Sequence, residues 1–534
     1  MQKPSEHDIS TSLGSMTLGS PLTEDVPAFL TALGLIVGLI AVCELLKKLL
    51  HIPAKVTRKI VHIGTAIFVF FSPYFFQSNF FPALIPAAFI PFNLLAVRFG
   101  WLQSLHGEER ASASDKSRNY GTVYFPIAFL LLTLLCWGKN VWMMQTAMLV
   151  LGLGDSAAAI VGENIKNPHQ YKFATVKSLE GSLTMFIVSF ATIYLCLLFF
   201  MPNVPKLQVL DSGSVLGFAI ALALIATATE SLLSGGADNL FVPLAVAYPL
   251  AIIEIQGPEI VPNIILGVAI SGFVARASLS LKFLTASGST ATFLLASNIF
   301  SMGGWVWTVP IMTFFVLSSI LSKIGKAQKK KYDLIFEKGS QRDMAQVFAN
   351  GGVGWLLMIW YSFVTDEALR EVIYIGYLGT IAAVQADTWA TEIGTMVRNP
   401  KPVSILTFKP VPAGTSGGIT FLGTMGGLLG AIVICASAWL SNFEKMEKLG
   451  IIYSFALVGG SGLFASLVDS LLGATMQAQY YDPIRQKITE RTHSRREDGT
   501  IIENELQRGY RWMDNDLVNF ICGITGAGLA ILFK

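Results

Sequence analysis

Apolar runs long enough to cross a bilayer recur from Ala28 to Phe533, and polar residues gather between them. The pattern gives about 16 spans, at 28–46, 59–76, 80–98, 120–137, 141–162, 181–200, 213–232, 240–256, 261–281, 284–300, 304–322, 344–363, 371–388, 416–440, 450–476 and 515–533. The fold class expected is therefore all-α, a polytopic integral membrane protein embedded in a lipid bilayer. Lys and Arg crowd six of the connections, 47–59, 99–119, 163–180, 323–343, 397–409 and 485–511. Strict alternation of the spans puts all six on one side, which the positive-inside rule makes the cytoplasm. Both termini then lie outside.

Composition agrees with the pattern. Of 534 residues, 53% are hydrophobic and 14% charged, and the mean hydropathy is +0.57. A soluble domain carries about 25% charged residues, so soluble enzyme classes are excluded. A net charge of +3 with no basic stripe gives no reason to expect a nucleic-acid partner. The cysteines, Cys43, Cys136, Cys196, Cys435 and Cys522, fall in apolar spans without a CxxC pair, so neither a zinc site nor a disulfide framework is expected. The first 27 residues set Glu6, Asp8, Glu24 and Asp25 against one Lys, unlike a signal or transit peptide. The first span is expected to stay as an anchor, in a bacterial plasma membrane.

After the tail 1–27, the chain divides into halves 28–283 and 284–534 that repeat one order of motifs. "GDSAAAIVG" (154–162), "KSLEGS" (177–182) and "TESLLSGGADN" (229–239) are answered by "ADTWATEIG" (386–394), "KPVPAGTSGG" (409–418), "LVDSLLGA" (467–474) and "DNDLVN" (514–519). Asp155 and Asp387 each open D-[ST]-x-A-x-x-[IV]-G. Lys177 and Lys409 each follow by 22 residues.

These residues carry the candidate chemistry. A charge in mid-bilayer costs about 2.5–3.5 kcal/mol even on the lenient insertion scale, so Asp155 and Glu230, inside apolar runs, are the sharpest signals. In the first half Asp155, Lys177, Glu180 and Glu230 are the catalytic candidates. Asp155 and Asp238 are candidate Mg²⁺ ligands, and Gly154, Gly181, Ser182 and Asn239 candidate phosphate contacts. Carboxylates suit Mg²⁺, which prefers hard oxygens; Lys and Gly suit phosphate. In the second half Asp387 and Asp469 are catalytic candidates, and Asp387, Glu392, Asp514 and Asp516 metal ligands. Arg342, Asn350, Lys409, Gly414, Thr415, Ser416, Gly417, Arg491 and Asn519 are assigned to phosphate or nucleotide. No Walker sequence is present. His62, in "VHIGTA", is a further candidate to take a proton.

Five ordered stretches, "RKIVHIGTA" (58–66), "NYGTVYFP" (119–126), "GDSAAAIVG", "KSLEGSLTMF" and "ESLLSGGADNLFVPL", resemble the phytol kinase family over roughly residues 30–280. That family is related to dolichol kinase and, more distantly, to CDP-diacylglycerol synthase. The segment "NIKNPHQYKFATV" (164–176) departs from the basic, glycine-containing stretch usual there. The second half, through "SQRDMAQVFANGG" (340–352), "ADTWATEIG", "PAGTSGGITFLGT", "LVDSLLGATMQ", "TER" (489–491) and "DNDLVNF", resembles the phytyl-phosphate kinase family. The resemblance implies a fusion of two CTP-dependent, Mg²⁺-using kinases. The first takes a prenol such as phytol or geranylgeraniol to the monophosphate, and the second takes the prenyl phosphate to the diphosphate. Two other readings are compatible with the residues: a cytidylyltransferase that makes a CDP-lipid, and a transporter built of two related halves.

Overall fold

The computed structural model describes residues 18–99, 119–324, 341–397, 400–496 and 500–534. Two compact units emerge, Met1–Ile265 and Leu266–Lys534. Most of the candidate tail, 1–17, and parts of the basic connections 99–119, 323–343, 397–409 and 485–511 lie outside the described residues.

In the first unit α1 (Val26–Leu50), α2 (Ala54–Phe71), α3 (Phe80–Phe99), α4 (Gly121–Cys136), α5 (Val141–Val150) and α6 (Ser156–Asn164) precede a hairpin of β1 (Gln170–Lys172) and β2 (Val176–Ser178). Then come α7 (Leu179–Phe200), α8 (Ser212–Leu232) and α9 (Asp238–Gln256). Asp25, just before α1, is buried and accepts the backbone N–H groups of Gln77 and Ser78 at 2.9 and 3.0 Å. That contact ties the start of α1 to the connection between α2 and α3.

α10 (Val261–Ser280) carries the chain into the second unit, which holds α11 (Ala286–Ile324), α12 (Met344–Phe363) and α13 (Glu367–Met396). The strands β3 (Val403–Ser404) and β4 (Gly418–Ile419) pair ahead of α14 (Phe421–Ser441) and α15 (Ile451–Thr475). Next, β5 (Gln479–Asp482) lies between β6 (Lys487–Thr489) and β9 (Glu505–Arg508), and β7 (His493–Arg495) pairs with β8 (Ile501–Glu503). α16 (Asn515–Leu532) follows. Every residue of α13 from Ile373 to Ala386 is buried, which makes it the central helix of its unit.

The chain is helical, as expected, but eleven of the described helices, not sixteen, are long and apolar enough to cross a membrane. Two differences have a physical reason. The runs 284–300 and 304–322 are two helices that meet at Gly304, whose non-helical backbone (φ 56°, ψ −153°) turns the chain, so the segment α11 counts once while holding both. Lys323 Nζ, at its end, donates to the Leu281 carbonyl just before its start at 2.7 Å. α2 and α13 carry Lys55, Arg58, Lys59 and His62, and Gln385, Asp387 and Glu392, so the site residues themselves lower the hydropathy. The short hairpins were not expected. They let connections satisfy their own backbone groups. All five cysteines are buried and free.

Helices of the second unit approach closely through glycine. A Cβ added to Gly379 on α13 would lie 2.3 Å from the Gly526 carbonyl oxygen on α16, and one on Gly526 would lie 2.4 Å from that of Gly379. In lipid, such close packing takes the place of a hydrophobic driving force. Gly526→Val is therefore expected to lower the thermal unfolding midpoint in detergent, at a cost of about 1–3 kcal/mol. Gly528→Val, which meets nothing within 4 Å, is expected to leave the midpoint near wild type.

Candidate functional site

The stretch "LGLGD" folds as a π-turn, Leu151–Asp155, between α5 and α6. Such a turn inserts one extra residue and re-aims the side chains around it. Its two glycines are packing residues. A Cβ on Gly152 would lie 2.2 Å from the Ala66 Cβ on α2; one on Gly154 would lie 2.8 Å from Ser189 Oγ on α7. With helices pressed close on both sides, Asp155 points into a cavity.

Asp155 meets Glu230 and Asp238 there. One carboxylate oxygen from each lies within 4.8 Å of the others. Glu230 ends α8 and Asp238 opens α9, and the turn between them depends on Gly235 (φ 63°) and Gly236 (φ 84°). A Cβ on Gly236 would lie 2.3 Å from the Gly121 backbone, and Tyr120 N–H donates to the Gly235 carbonyl at 3.0 Å. This lock brings the N-termini of α4 and α9 to one rim, where their dipoles favour anions. From the hairpin, Lys177 Nζ donates to Glu230 Oε1 at 2.6 Å and to the Glu230 carbonyl. Asp155 and Asp238 make no ion pair with Lys or Arg among the described residues. His62 Nδ1 is 3.9 Å from Asp155 Oδ2, and the imidazole meets the Phe125 ring edge-on, 5.1 Å between centroids.

The cavity has a volume of 310 Å³ and changes character along its length. On α2, Arg58, His62 and Thr65 give way to Phe68 and Val69; on α4, Gly121 and Thr122 give way to Phe125 and Phe129. α3 reads in reverse, Asn93 and then Phe89 and Ile85, with Asn93 Nδ2 donating to the Thr122 carbonyl at 2.7 Å. Asn239 also lines the polar end, with its Oδ1 buried and unpartnered among the described residues. Three clustered hard-oxygen ligands beside such an orphaned acceptor fit a hydrated Mg²⁺ ion.

Not every candidate reaches this cavity. Glu180 is clasped by His169, whose backbone N–H donates to it at 3.1 Å and whose Nδ1 lies 2.7 Å away. Gly181 lets α7 start against α6, where a Cβ would lie 3.1 Å from the Ala158 carbonyl. Ser182 Oγ lies 2.6 Å from the Tyr171 hydroxyl, and burial raises the Tyr171 pKa above its ordinary value despite that hydrogen bond. These three and Gly154 fix the hairpin and helix packing around Lys177 and Asp155.

The second unit holds a larger cavity, 640 Å³, lined by Arg342, Asn350, Asp387, Glu392, Asp469, Arg491, Asp516 and Asn519. The loop Gly414, Thr415, Ser416 and Gly417 forms another wall. Gly414 (φ 88°) and Gly417 (φ 80°) are left-handed, and Gly417 abuts Ala474 at the end of α15. Asp387 from α13 and Asp469 from α15 line the same cavity. Glu392 accepts from Ser322 Oγ at 2.7 Å. Burial lowers the Arg342 pKa and Glu392 opposes it; a guanidinium stays charged throughout. Lys409 is exposed, and Asp514 caps α16 by accepting Leu517 N–H at 2.9 Å, so neither lines the cavity.

Sequence reasoning missed several residues. Asn93, Asn119 and Arg58 line the first cavity. Gln477 joins two walls of the second: its Oε1 accepts from Ser416 Oγ at 2.7 Å, and its Nε2 donates to Glu490 at 3.0 Å. Arg58, Asn119 and Gln477 lie within the motifs "RKIVHIGTA", "NYGTVYFP" and "LVDSLLGATMQ", whereas Asn93 lies in none of them.

Known proteins are similar to this chain over different stretches. Residues 269–527 match the family described as integral membrane protein DUF92. Protein PGR of Arabidopsis thaliana is 30% identical over 277 residues, 48% of this chain and 92% of that protein. A phytol kinase of Synechocystis sp. is 31% identical over 212 residues, 39% of this chain and 84% of that enzyme. Protein VTE6, chloroplastic, of Arabidopsis thaliana is 23% identical over 264 residues, 49% and 68% of the two chains. No solved structure matches. With a relative covered over nearly its whole length and a family model spanning the second unit, the chain belongs to the integral membrane protein DUF92 family.

Proposed function

We propose that the chain is a membrane isoprenoid kinase, with the first unit phosphorylating a prenol and the second a prenyl monophosphate, both from CTP. One observation carries the reading: the first cavity runs from a carboxylate cluster with Lys177 at one end to phenylalanine-lined walls at the other. A ligand that fits has a polar head and a hydrocarbon tail. The similarity to a phytol kinase supports the same substrate class. Cytoplasmic placement of both sites, where CTP is available, follows from the basic connections.

In the first unit the alcohol oxygen attacks the terminal phosphorus, the bond to the leaving nucleoside diphosphate breaks, and the hydroxyl proton passes to Asp155 or His62. Lys177 and the N-termini of α4 and α9 hold charge that spreads over the phosphoryl oxygens. Asp155, Glu230 and Asp238 would hold Mg²⁺, which neutralises phosphate charge when bound. The second unit's acceptor is already mostly ionised near pH 7, because a phosphate monoester has a second pKa of about 6. It needs cations more than a base, and Arg342 and Arg491 line its cavity.

The test is an assay of purified protein with geranylgeraniol or phytol and labelled CTP, ATP, GTP or UTP. Asp155→Ala is expected to yield no product, and Asp387→Ala to accumulate monophosphate. Diphosphate made by Asp387→Ala at the wild-type rate refutes the role of the second unit. Pyrophosphate with a CDP-lipid, or nucleotide-independent flux in vesicles, refutes the kinase reading outright. Lys177→Met is expected to lower kcat for the first step by about 10²–10³. Glu180→Ala, outside the cavity, is expected to lower it far less. Chelation of divalent ions should stop both steps, and added Mg²⁺ should restore them.

A further inference from the structure

The two cavities differ in what they enclose. The first, at 310 Å³, has four phenylalanines along its apolar arm, Phe68, Phe89, Phe125 and Phe129. The second has twice the volume, 640 Å³, yet no aromatic ring is among the described residues that line it. Its apolar lining is mainly Ile419, Leu463 and Leu467, set among charged and amide side chains.

The arm of the first cavity has an end. Ile85 lies eight residues from Asn93 on α3, about 12 Å of helix rise away from the polar end. On α1, Ile36 lies beyond Ile40 in the same direction, because α1 leads into α2 at its polar end. Ile36 and Ile85 are both buried and pack in one cluster with Phe76 and Phe81, with Phe68, Phe89 and Trp137 against it. That cluster packs around the apolar end of the arm, where Ile36 and Ile85 are its lining residues farthest from the polar end.

In the second unit the apolar surface lies outside the cavity. Thr420, Gly423 and Thr424 line the cavity from the start of α14, while Phe421 and Leu422 between them are exposed. On α15, Leu463 and Leu467 line it and Phe464 is exposed. A hydrocarbon tail attached to a head in this cavity has lipid-facing side chains to lie along.

We infer that the first cavity measures its substrate's tail against a floor made by Ile36 and Ile85, whereas the second recognises a phosphate head group and leaves the tail in the bilayer. The inference rests on the kinase reading for the identity of the substrates, and on cavity shape for their selection. Because lipid is as apolar as the arm, selection comes from shape and packing and not from leaving water. The second unit's substrate class is then the phosphate monoester of any membrane-resident alcohol.

The experiment uses the full chain in nanodiscs, with each lipid substrate at equal mole fraction. Asp387→Ala isolates the first step and Asp155→Ala the second. Across geraniol, farnesol and geranylgeraniol, kcat/KM for the first step is expected to vary by about tenfold or more. Across the corresponding monophosphates the second is expected to vary by less than about threefold, a spread smaller than one methylene gives in a fitted pocket. Ile85→Ala is expected to move the first step's preference toward longer alcohols, and Ile85→Phe toward shorter ones; the opposed pair separates a ruler from general damage. Binding of labelled alcohols without nucleotide is measured in parallel. Chain-length-ordered binding without any phosphorylation supports the floor and refutes the kinase reading. Binding that is flat across alcohols in wild type, an order unmoved by both Ile85 substitutions, or a steep tail dependence in the second step overturns the inference.

Discussion

A carboxylate inside an apolar helix has to be compensated where it stands, because the surroundings offer neither water nor mobile counterions. Much of the first unit is arranged around that constraint. One carboxylate oxygen from each of Asp155, Glu230 and Asp238 lies within 4.8 Å of the others, close enough for a single cation to reach all three. Lys177 is delivered to Glu230 by the hairpin of β1 and β2. The glycines at 152, 154, 235 and 236 bring backbones close enough for the gathering to hold. In the second unit Asp387 and Asp469 line one cavity, and Glu392 accepts a hydrogen bond from the Ser322 hydroxyl.

Charge in an apolar run is conspicuous, and this made much of the site legible in the sequence. Asp155, Glu230, Asp238, Asp387 and Asp469 stand out from their flanks, and the structure brings each to a cavity or to its edge. Neighbours in sequence were a poorer guide. Lys177 lies on a strand, and Glu180, three residues on, lies in the first turn of a helix that points it elsewhere. The apolar arm was illegible for the opposite reason. Phe89 lining a cavity and Phe92 facing outward are the same letter in the same helix. Gln477 and Asn93 carry no charge to mark them, and short hairpins leave almost no periodic trace in four residues or fewer.

The repeated order of motifs does not mean repeated roles. Lys177 and Lys409 keep one spacing from their aspartates, yet Lys177 binds a buried carboxylate and Lys409 is exposed. The second unit places Arg342 and Arg491 at its cavity from elsewhere in the chain. The glycine-rich loop 414–417 lines the second cavity, whereas Gly181 and Ser182 of the matching "KSLEGS" stretch do not line the first, and Gln477 adds a further wall. The first unit thus holds a cavity with a phenylalanine-lined arm and the second a larger, more polar basin.

The π-turn at Leu151–Asp155 has a consequence for anyone seeking a sturdier version of this protein. Regular helices are easier to stabilise than interrupted ones, and rational stabilisation favours removing such irregularities. Here the surplus residue sets the angle at which Asp155 leaves its helix. Smoothing the helix would turn that carboxylate away from its companions by roughly one residue's rotation, about 100°. The defect and the site are one feature, so robustness has to be sought at positions away from this turn.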